Sequence, residues 1–448
     1  MKSYRFKALL NNQGWIENAT VSIDETGRVV SISQTDEKDS IFVKGYALPG
    51  FQNAHSHAFQ YAMAGLTERH PAGQEADDFW AWREAMYNLA QNINPDELKK
   101  IAAMLYAELV RQGWTNVAEF HYVHHDKNGK PFTDLATMGE ALIEAADEAG
   151  IKITLIPIFY KKGGFGQAPG ERQKRFISKT FEDYRKLFEA SAAICEKREN
   201  ANIAVGIHSM RGVEAEDILK TFEELPDDIP FHIHVSEQLK EIEDCIKFLG
   251  KRPVEWLLDN LEVSSRFHLV HATHLTETET ERLAGSKANV VLCPSTEGNL
   301  GDGIFPLRKY QEHGGNWSIG TDSHIGLNPF EELRILDYGQ RLTTHKRNTF
   351  GEKGGLFAIT KATIAGRRAM NEFEAEFFKI GNDFDACIVD ANAPLLANVK
   401  TENLASAIVY SADVSQILGT FVKGKLIRKD ENYEKIKRNF IECVKKFR

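Results

Sequence analysis

Cysteine is scarce in this chain and never paired. Five cysteines (Cys195, Cys245, Cys293, Cys387 and Cys443) are scattered over 448 residues without a CxxC pair. That excludes a disulfide framework and fits buried thiols in a reducing cytosol. Long apolar runs are missing too. No stretch approaches the ~20 apolar residues of a membrane span. The start, MKSYRFKALLNNQGW, has neither an apolar core nor a cleavage site, so no signal peptide is expected. A basic excess is also lacking. The net charge of −9 argues against nucleic acid or an anionic membrane as partner. Low-complexity tracts are absent, and 42% hydrophobic with 27% charged residues is ordinary for a folded globular chain. The length suits two or three domains, or one large barrel with an appendage.

The pattern that is present alternates strand and helix signals. Residues 94–112 open with a cap and Pro95, run with helical period and stop at Gly113. Further helices are expected over 134–149, 173–197, 217–224, 238–249, 253–260 and 277–285. Between them lie strand-like runs at 115–120, 151–159, 203–208, 231–235, 267–271, 289–293 and 317–322. With Tyr46 to Pro49 taken as the first, this gives eight buried strands separated mostly by helices. Such repetition predicts a (β/α)8 TIM barrel over residues 48–374, with chemistry at the C-terminal ends of the strands. Short strand patterns fill residues 1–45, too few for a core of their own. DACIVDA, ASAIVYS (405–411) and ILGTFVKGKLIRKD offer partners from the other end. A small β-sandwich domain built from 1–47 and 375–430 is therefore expected, followed by a C-terminal helix over 431–448.

The stretch 46–70 delivers His55 and His57 one residue apart. On an extended backbone they share a face and together suit a Zn²⁺-type cation, although two surface or capping histidines would give the same pattern. Other polar residues gather at strand ends. His208 ends strand 4, His232 and His234 lie in strand 5 with Glu237 beyond, His271 ends strand 6 and Asp322 ends strand 8. Taken singly, each has a structural reading: a hydrogen-bonded core histidine, or an Asp that caps a helix. Their joint placement on one rim points to a metal centre. Both His232 and His234 can face inward, and the rim position favours His234. With His55, His57 and Asp322 it completes a three-histidine, one-carboxylate set. Such an ion supplies hydroxide at neutral pH for attack on a C=N or C=O carbon. Glu237 is sited to carry a proton to the departing nitrogen, and Asp322 or His271 to hold the water. His208 stands at the end of strand 4 where a two-metal site would need a bridging carboxylated lysine, which favours one metal. His121, His124 and His125 lack a completing ligand set and are expected to be loop structure.

These features resemble the amidohydrolase superfamily, and within it the deiminases of formimino amino acids. The blocks that carry the resemblance are PGFQNAHSHAFQYAMAGLTE, FWAWREAMYNL, VAEFHYVHHD, HIHVSEQLKEIEDC, LVHATH, STEGNLGDGIFP and GTDSHIGLNPFEELRILDYGQRL. It runs over about residues 45–345 and weakens in the terminal β-region. Tyr61 and Pro294 depart from the family's usual Arg and Leu. The resemblance implies one zinc per chain on His55, His57, His234 and Asp322, with Glu237 and His271 as acid/base and water-positioning groups. It implies substrate contacts from Gln60, Arg83, Tyr122, His208 and Arg211. Arginine forks suit a dicarboxylate. The implied reaction is hydrolysis of N-formimino-L-glutamate to N-formyl-L-glutamate and ammonia, in histidine degradation, by a cytoplasmic homodimer. The alternatives are a deaminase acting on formimino-aspartate or on a nucleobase-type ring, and a non-catalytic scaffold.

Overall fold

The computed structural model describes residues 1–35, 39–68, 79–428 and 430–447, with backbone only for 79–81. The end of the 46–70 stretch (residues 69 and 70) and Lys429 of the last strand-like segment lie outside the described residues. Eight parallel strands form the barrel: β1 (Phe51–Ser56), β2 (Trp114–His121), β3 (Lys152–Phe159), β4 (Val205–Ser209), β5 (Phe231–Val235), β6 (Phe267–His271), β7 (Asn289–Leu292) and β8 (Asn316–Ile319). A short ninth strand, Ala201–Ile203, pairs with β3 at the edge of that order. The strands are buried along nearly their whole length, as expected for parallel strands covered by helices.

The ring closes just beyond β8. Thr321 and Asp322 both donate backbone N–H bonds to the His55 carbonyl, at 3.2 and 3.0 Å, and His57 N–H donates to the Asp322 carbonyl at 3.2 Å. The Asn53 side chain locks the same seam, donating to Thr321 Oγ1 at 2.8 Å and accepting from Thr321 N–H at 3.0 Å. Gly320 permits the approach, since a Cβ there would lie 2.8 Å from that of His55. Closure of the barrel thus sets His55, His57 and Asp322 side by side.

The covering helices follow their signals. Pro95–Arg111 starts in a capping box between Asn94 and Glu97 and buries Leu98, Ile101, Leu105 and Leu109. The helix expected over 173–197 is shorter, Phe181–Cys195, because its capping box is Thr180 with Asp183. The C-terminal helix, Glu431–Val444, packs against Pro95–Arg111.

A second sheet joins the chain ends. Its path runs Lys425–Ile427, Ile417–Val422, Ala386–Asp390, Ile41–Pro49, Lys2–Asn11, Thr20–Ile23, Val29–Ser33, with Gly14–Glu17 beside Lys2–Asn11. The path is curled over its own core. Tyr4 and Phe421 lie on strands separated by two others, yet their ring centroids are 4.9 Å apart.

Two sequence assignments are corrected. Tyr46–Pro49 is not the first barrel strand; it belongs to Ile41–Pro49 in the terminal sheet, antiparallel to Ala386–Asp390. The barrel starts at Phe51. Gly50 is the joint between the two sheets, where a Cβ would come within 2.2 Å of the Thr115 side chain. Two consecutive apolar strands gave no sequence cue to separate them. ASAIVYS is not a strand but part of the helix Thr401–Ser411. Its buried residues, Leu404, Ala405, Ile408 and Val409, recur at helical spacing, and the β-branched composition masked that period.

Candidate active site

Three imidazoles converge where β1 and β5 end. His55 Nε2 is 3.2 Å from His57 Nε2 and 3.0 Å from His234 Nε2. Asp322 Oδ1 lies 3.5 Å from His55 Nε2 and 3.3 Å from His57 Nε2. His57 donates Nδ1–H to the Phe120 carbonyl and His234 donates Nδ1–H to the His208 carbonyl, both at 2.9 Å. These bonds leave the Nε2 lone pairs of both rings turned to one point. A single proton on His55 cannot serve two lone pairs and a carboxylate, whereas one cation can. Ligands about 2.1 Å from a zinc ion stand roughly 3.0–3.4 Å apart, the spacing seen here. The residues therefore fit a metal ion. Burial holds the rings neutral, with His55 pushed down to about 3 despite the nearby Asp322, and His57 and His234 lowered as well. For Asp322, burial alone would raise its carboxyl, but the hydrogen bond from His55 and the surrounding histidines hold it below the usual carboxylate range.

His232 does not join the cluster. Its Nε2 donates to the Ala369 carbonyl at 3.1 Å and its ring stacks on His268, 4.8 Å away. It faces inward, one layer deeper in the barrel.

A second polar group surrounds His271. Its Nε2 is 3.7 Å from both Glu237 Oε1 and Asp322 Oδ2, and its Nδ1 is 3.3 Å from Glu297 Oε1. The backbone is turned to reach them: His271 has φ 68° and Ala272 φ 49°, while Ser236 and Asp322 are also left-handed at φ 52° and 44°. Left-handed conformations of non-glycine residues cost of order 1 kcal/mol or more each, and their concentration at strand ends marks a site.

These groups border a cavity at the barrel rim. Gln60, Arg83, Tyr122, His208 and Arg211 all line it, together with Glu237, His271 and Asp322. Gln60 Nε2 donates to Tyr122 Oη at 3.0 Å. The His208 ring packs on Tyr160, centroids 4.1 Å apart. Arg83 lies on the helix Phe79–Asn92 with its guanidinium 5.4 Å from the Tyr87 ring. By contrast, His124 and His125 donate Nε2–H to the Ile158 and Ile177 carbonyls and take no part in the cavity lining.

Sequence reasoning missed the apolar and aromatic walls: Trp82, Met86, Tyr87, Tyr160, Phe176 and Leu300. Tyr160 directly follows β3, so the strand-end rule that found the histidines would have found it too. Also missed were the buried carboxylates behind the site. Glu241 sits in the first turn of Leu239–Leu249, and Glu297 belongs to the STEGNL block.

The closed parallel barrel, the curled terminal sheet and this rim define a class. The amidohydrolase family model matches residues 46–427, and the chain belongs to that family. It is an enzyme, a hydrolase acting on C–N bonds. Among curated proteins it is 38% identical to the formimidoylglutamate deiminase of Pseudomonas aeruginosa, over 96% of each chain. It is 26% identical to a 5-methylthioadenosine/S-adenosylhomocysteine deaminase of Thermodesulfovibrio yellowstonii, over 92% of this chain and 89% of the other. A solved amidohydrolase from Brucella melitensis superposes with a TM-score of 0.93 at 36% identity, covering 100% of this chain and 99% of that one. An adenosine deaminase from Xanthomonas campestris with bound zinc has the same fold, with a TM-score of 0.80 at 19% identity over 98% of both chains. Among the described residues no helix is long and apolar enough to cross a membrane.

Proposed function

We propose that this enzyme hydrolyses N-formimino-L-glutamate to N-formyl-L-glutamate and ammonia, with one zinc ion held by His55, His57, His234 and Asp322. The observation that carries this reading is a cavity with the histidine–aspartate cluster on one side and two guanidinium groups, Arg83 and Arg211, on its walls. A substrate with an amidine-like head and two carboxylates matches that division. The 38% identity to a protein named for formimidoylglutamate supports it.

When bound, zinc lowers the pKa of water towards about 7 and so supplies hydroxide in neutral solution. The remaining steps belong to the chain. Glu237 takes the proton of the attacking water and delivers it to the amidine nitrogen. Addition of water to the formimino carbon breaks the C=N π bond; the hydroxyl of the tetrahedral centre then gives its proton, through Glu237, to the amino group as that C–N bond breaks, which releases ammonia and leaves the formyl C=O. His271, beside both Glu237 and Asp322, holds the water and stabilises charge as the tetrahedral centre forms. Arg83 and Arg211 bind carboxylates, Gln60 and Tyr122 act as a hydrogen-bonded pair at the head group, and His208 closes the wall. Histidine degradation, a cytoplasmic location and a homodimer complete the reading.

Ammonia release from zinc-loaded protein tests it, using N-formimino-L-glutamate, N-formimino-L-aspartate and S-adenosylhomocysteine. The expected order places formimino-glutamate first by at least ~10-fold in kcat/KM. Preferential release from formimino-aspartate or from the purine overturns it in favour of the corresponding deaminase, and no release from any of them removes the deiminase assignment.

A further inference from the structure

Arg211 lies between two carboxylates. Its guanidinium is 3.3 Å from Glu237 Oε2 and 3.5 Å from Glu241 Oε2, and all three residues are buried. Glu241 does more than pair with the arginine. Its Oε2 also accepts the backbone N–H of Glu237 at 3.1 Å. It therefore touches both the group assigned to a substrate carboxylate and the backbone of the proton carrier. Glu237 is placed differently. One of its oxygens faces Arg211, and the other stands 3.7 Å from His271 within the cavity lining.

A carboxylate held by a guanidinium is a weak base, because the positive charge favours its ionised form. While Arg211 pairs with Glu237, the guanidinium engages one of the two carboxylate oxygens that would take the proton. A substrate carboxylate offers the same guanidinium a bidentate partner. A buried guanidinium changing partners would still need a standing counter-charge, and Glu241 supplies one. We propose that Glu241 is a positioning residue that keeps Arg211 anchored while its other face exchanges Glu237 for a substrate carboxylate, so that this carboxylate frees Glu237 for proton transfer. The proposal rests on the reading of Arg211 as a carboxylate-binding group. Burial raises the Glu241 carboxyl and the charge of Arg211 counters that, so each stabilises the ionised form of the other. The consequence is that carboxylate recognition is expressed in kcat as well as in KM.

Two measurements decide it. The first is a crystal structure of the zinc-loaded enzyme with glutarate, which needs no turnover. Arg211 is expected to hold a glutarate carboxylate, with Glu237 beyond 4 Å from the guanidinium and Glu241 still in contact, as a released ion pair requires. Glutarate elsewhere, or bound with the Arg211–Glu237 pair intact, overturns the proposal. The second is kinetics of Glu241→Gln, which keeps an acceptor for the Glu237 N–H and removes the charge. With zinc content and melting temperature retained, kcat for N-formimino-L-glutamate should fall at least ~10-fold while KM changes less, with partial recovery in Glu241→Asp. Unchanged kcat per zinc site, or loss explained wholly by a lower melting temperature, overturns it. If wild-type enzyme releases no ammonia from this substrate, the functional reading has failed, and the glutarate structure still decides the clamp.

Discussion

The rings of His234 and His271 stand 5.6 Å apart and within 14° of parallel, yet the fold holds them in opposite protonation states. Burial, with His55 alongside, keeps His234 neutral and its Nε2 lone pair available. Burial also opposes a proton on His271, but the charge of Glu237, the hydrogen bond to Glu297 and the charge of Asp322 hold it up to about 10. One imidazole is thus prepared to receive a cation and the next to be one. The difference comes from their partners: a backbone carbonyl on one side and three carboxylates on the other.

Glu297 is the partner of His271 on its Nδ1 side. It accepts at 3.3 Å from Nδ1 and also holds the Cys293 N–H at 2.9 Å. Glu297→Gln should retain zinc but lower activity by ~10–100-fold, the usual cost of removing a supporting group behind a metal site. Nitrogen-15 NMR of His271 should show its pKa reduced in the variant. Full activity would show that the Glu297 contact does not shape the imidazolium.

Metal removal gives a second expectation. His55, His57 and His234 bring three nitrogen atoms to one point, an arrangement that a bound cation would stabilise. Chelation should abolish ammonia release and lower the melting temperature, because a ligand that binds only the folded state stabilises it. Readdition of one zinc per chain should restore both. His234→Ala should lose stoichiometric zinc, whereas His232→Ala should keep it, since His232 bonds to Ala369 instead. Zinc content by mass spectrometry checks each; equal loss in both variants would reject the assignment of ligands.

The turn bearing the two histidines is held from behind by Glu119. Its carboxylate accepts from Ser56 Oγ at 2.6 Å, Ala58 N–H at 2.7 Å and Tyr106 Oη at 2.9 Å. Burial pushes this carboxyl up to about 7 even against those three donors. Glu119→Gln places an amide donor among groups that themselves donate. It should cost about 1–3 kcal/mol in stability and ~10–100-fold in zinc affinity. Urea unfolding and competitive zinc titration measure the two effects separately, and an unaltered zinc affinity would limit Glu119 to a folding role.

How much of this was legible in the sequence follows from what each residue depends on. His55, His57, His234, His271 and Asp322 were visible because strand ends can be read from local patterns and the barrel brings all those ends together. Tyr46–Pro49 was assigned to the wrong sheet because two successive apolar strands look the same whichever sheet they join. The 405–411 helix was misread because Ala, Ile and Val suit a strand, although their burial has helical period. Glu119, Glu241 and Glu297 were illegible for another reason. A glutamate in a strand or a first helical turn is most often solvated, and only the packing of β2 against β1, or of a helix end against Arg211, reveals the buried partner.

Below the barrel, Lys152 ties the two sheets together. It begins β3, is almost wholly buried, and places Nζ 2.6 Å from Glu372 and 2.8 Å from Asp385, which itself accepts from Lys423 N–H at 2.7 Å. Burial alone would lower the ammonium's pKa; Asp385 and Glu372 more than offset it, so the folded-state value lies above the ordinary 10.5. A raised pKa means the folded state binds the proton more tightly. The stabilisation is therefore complete below about pH 10.5 and is lost as pH rises further, towards the folded-state value. Lys152→Met leaves the buried Asp385 and the half-buried Glu372 without their cation and should cost about 3–5 kcal/mol at neutral pH. The gap between variant and wild type should stay constant from pH 7 to 9 and narrow above about pH 10.5, where the unfolded chain sheds the lysine proton that the folded state keeps. Urea unfolding at a series of pH values measures this gap. A difference that stays unchanged above pH 10.5 would mean that Lys152 stabilises the junction through packing rather than through its charge.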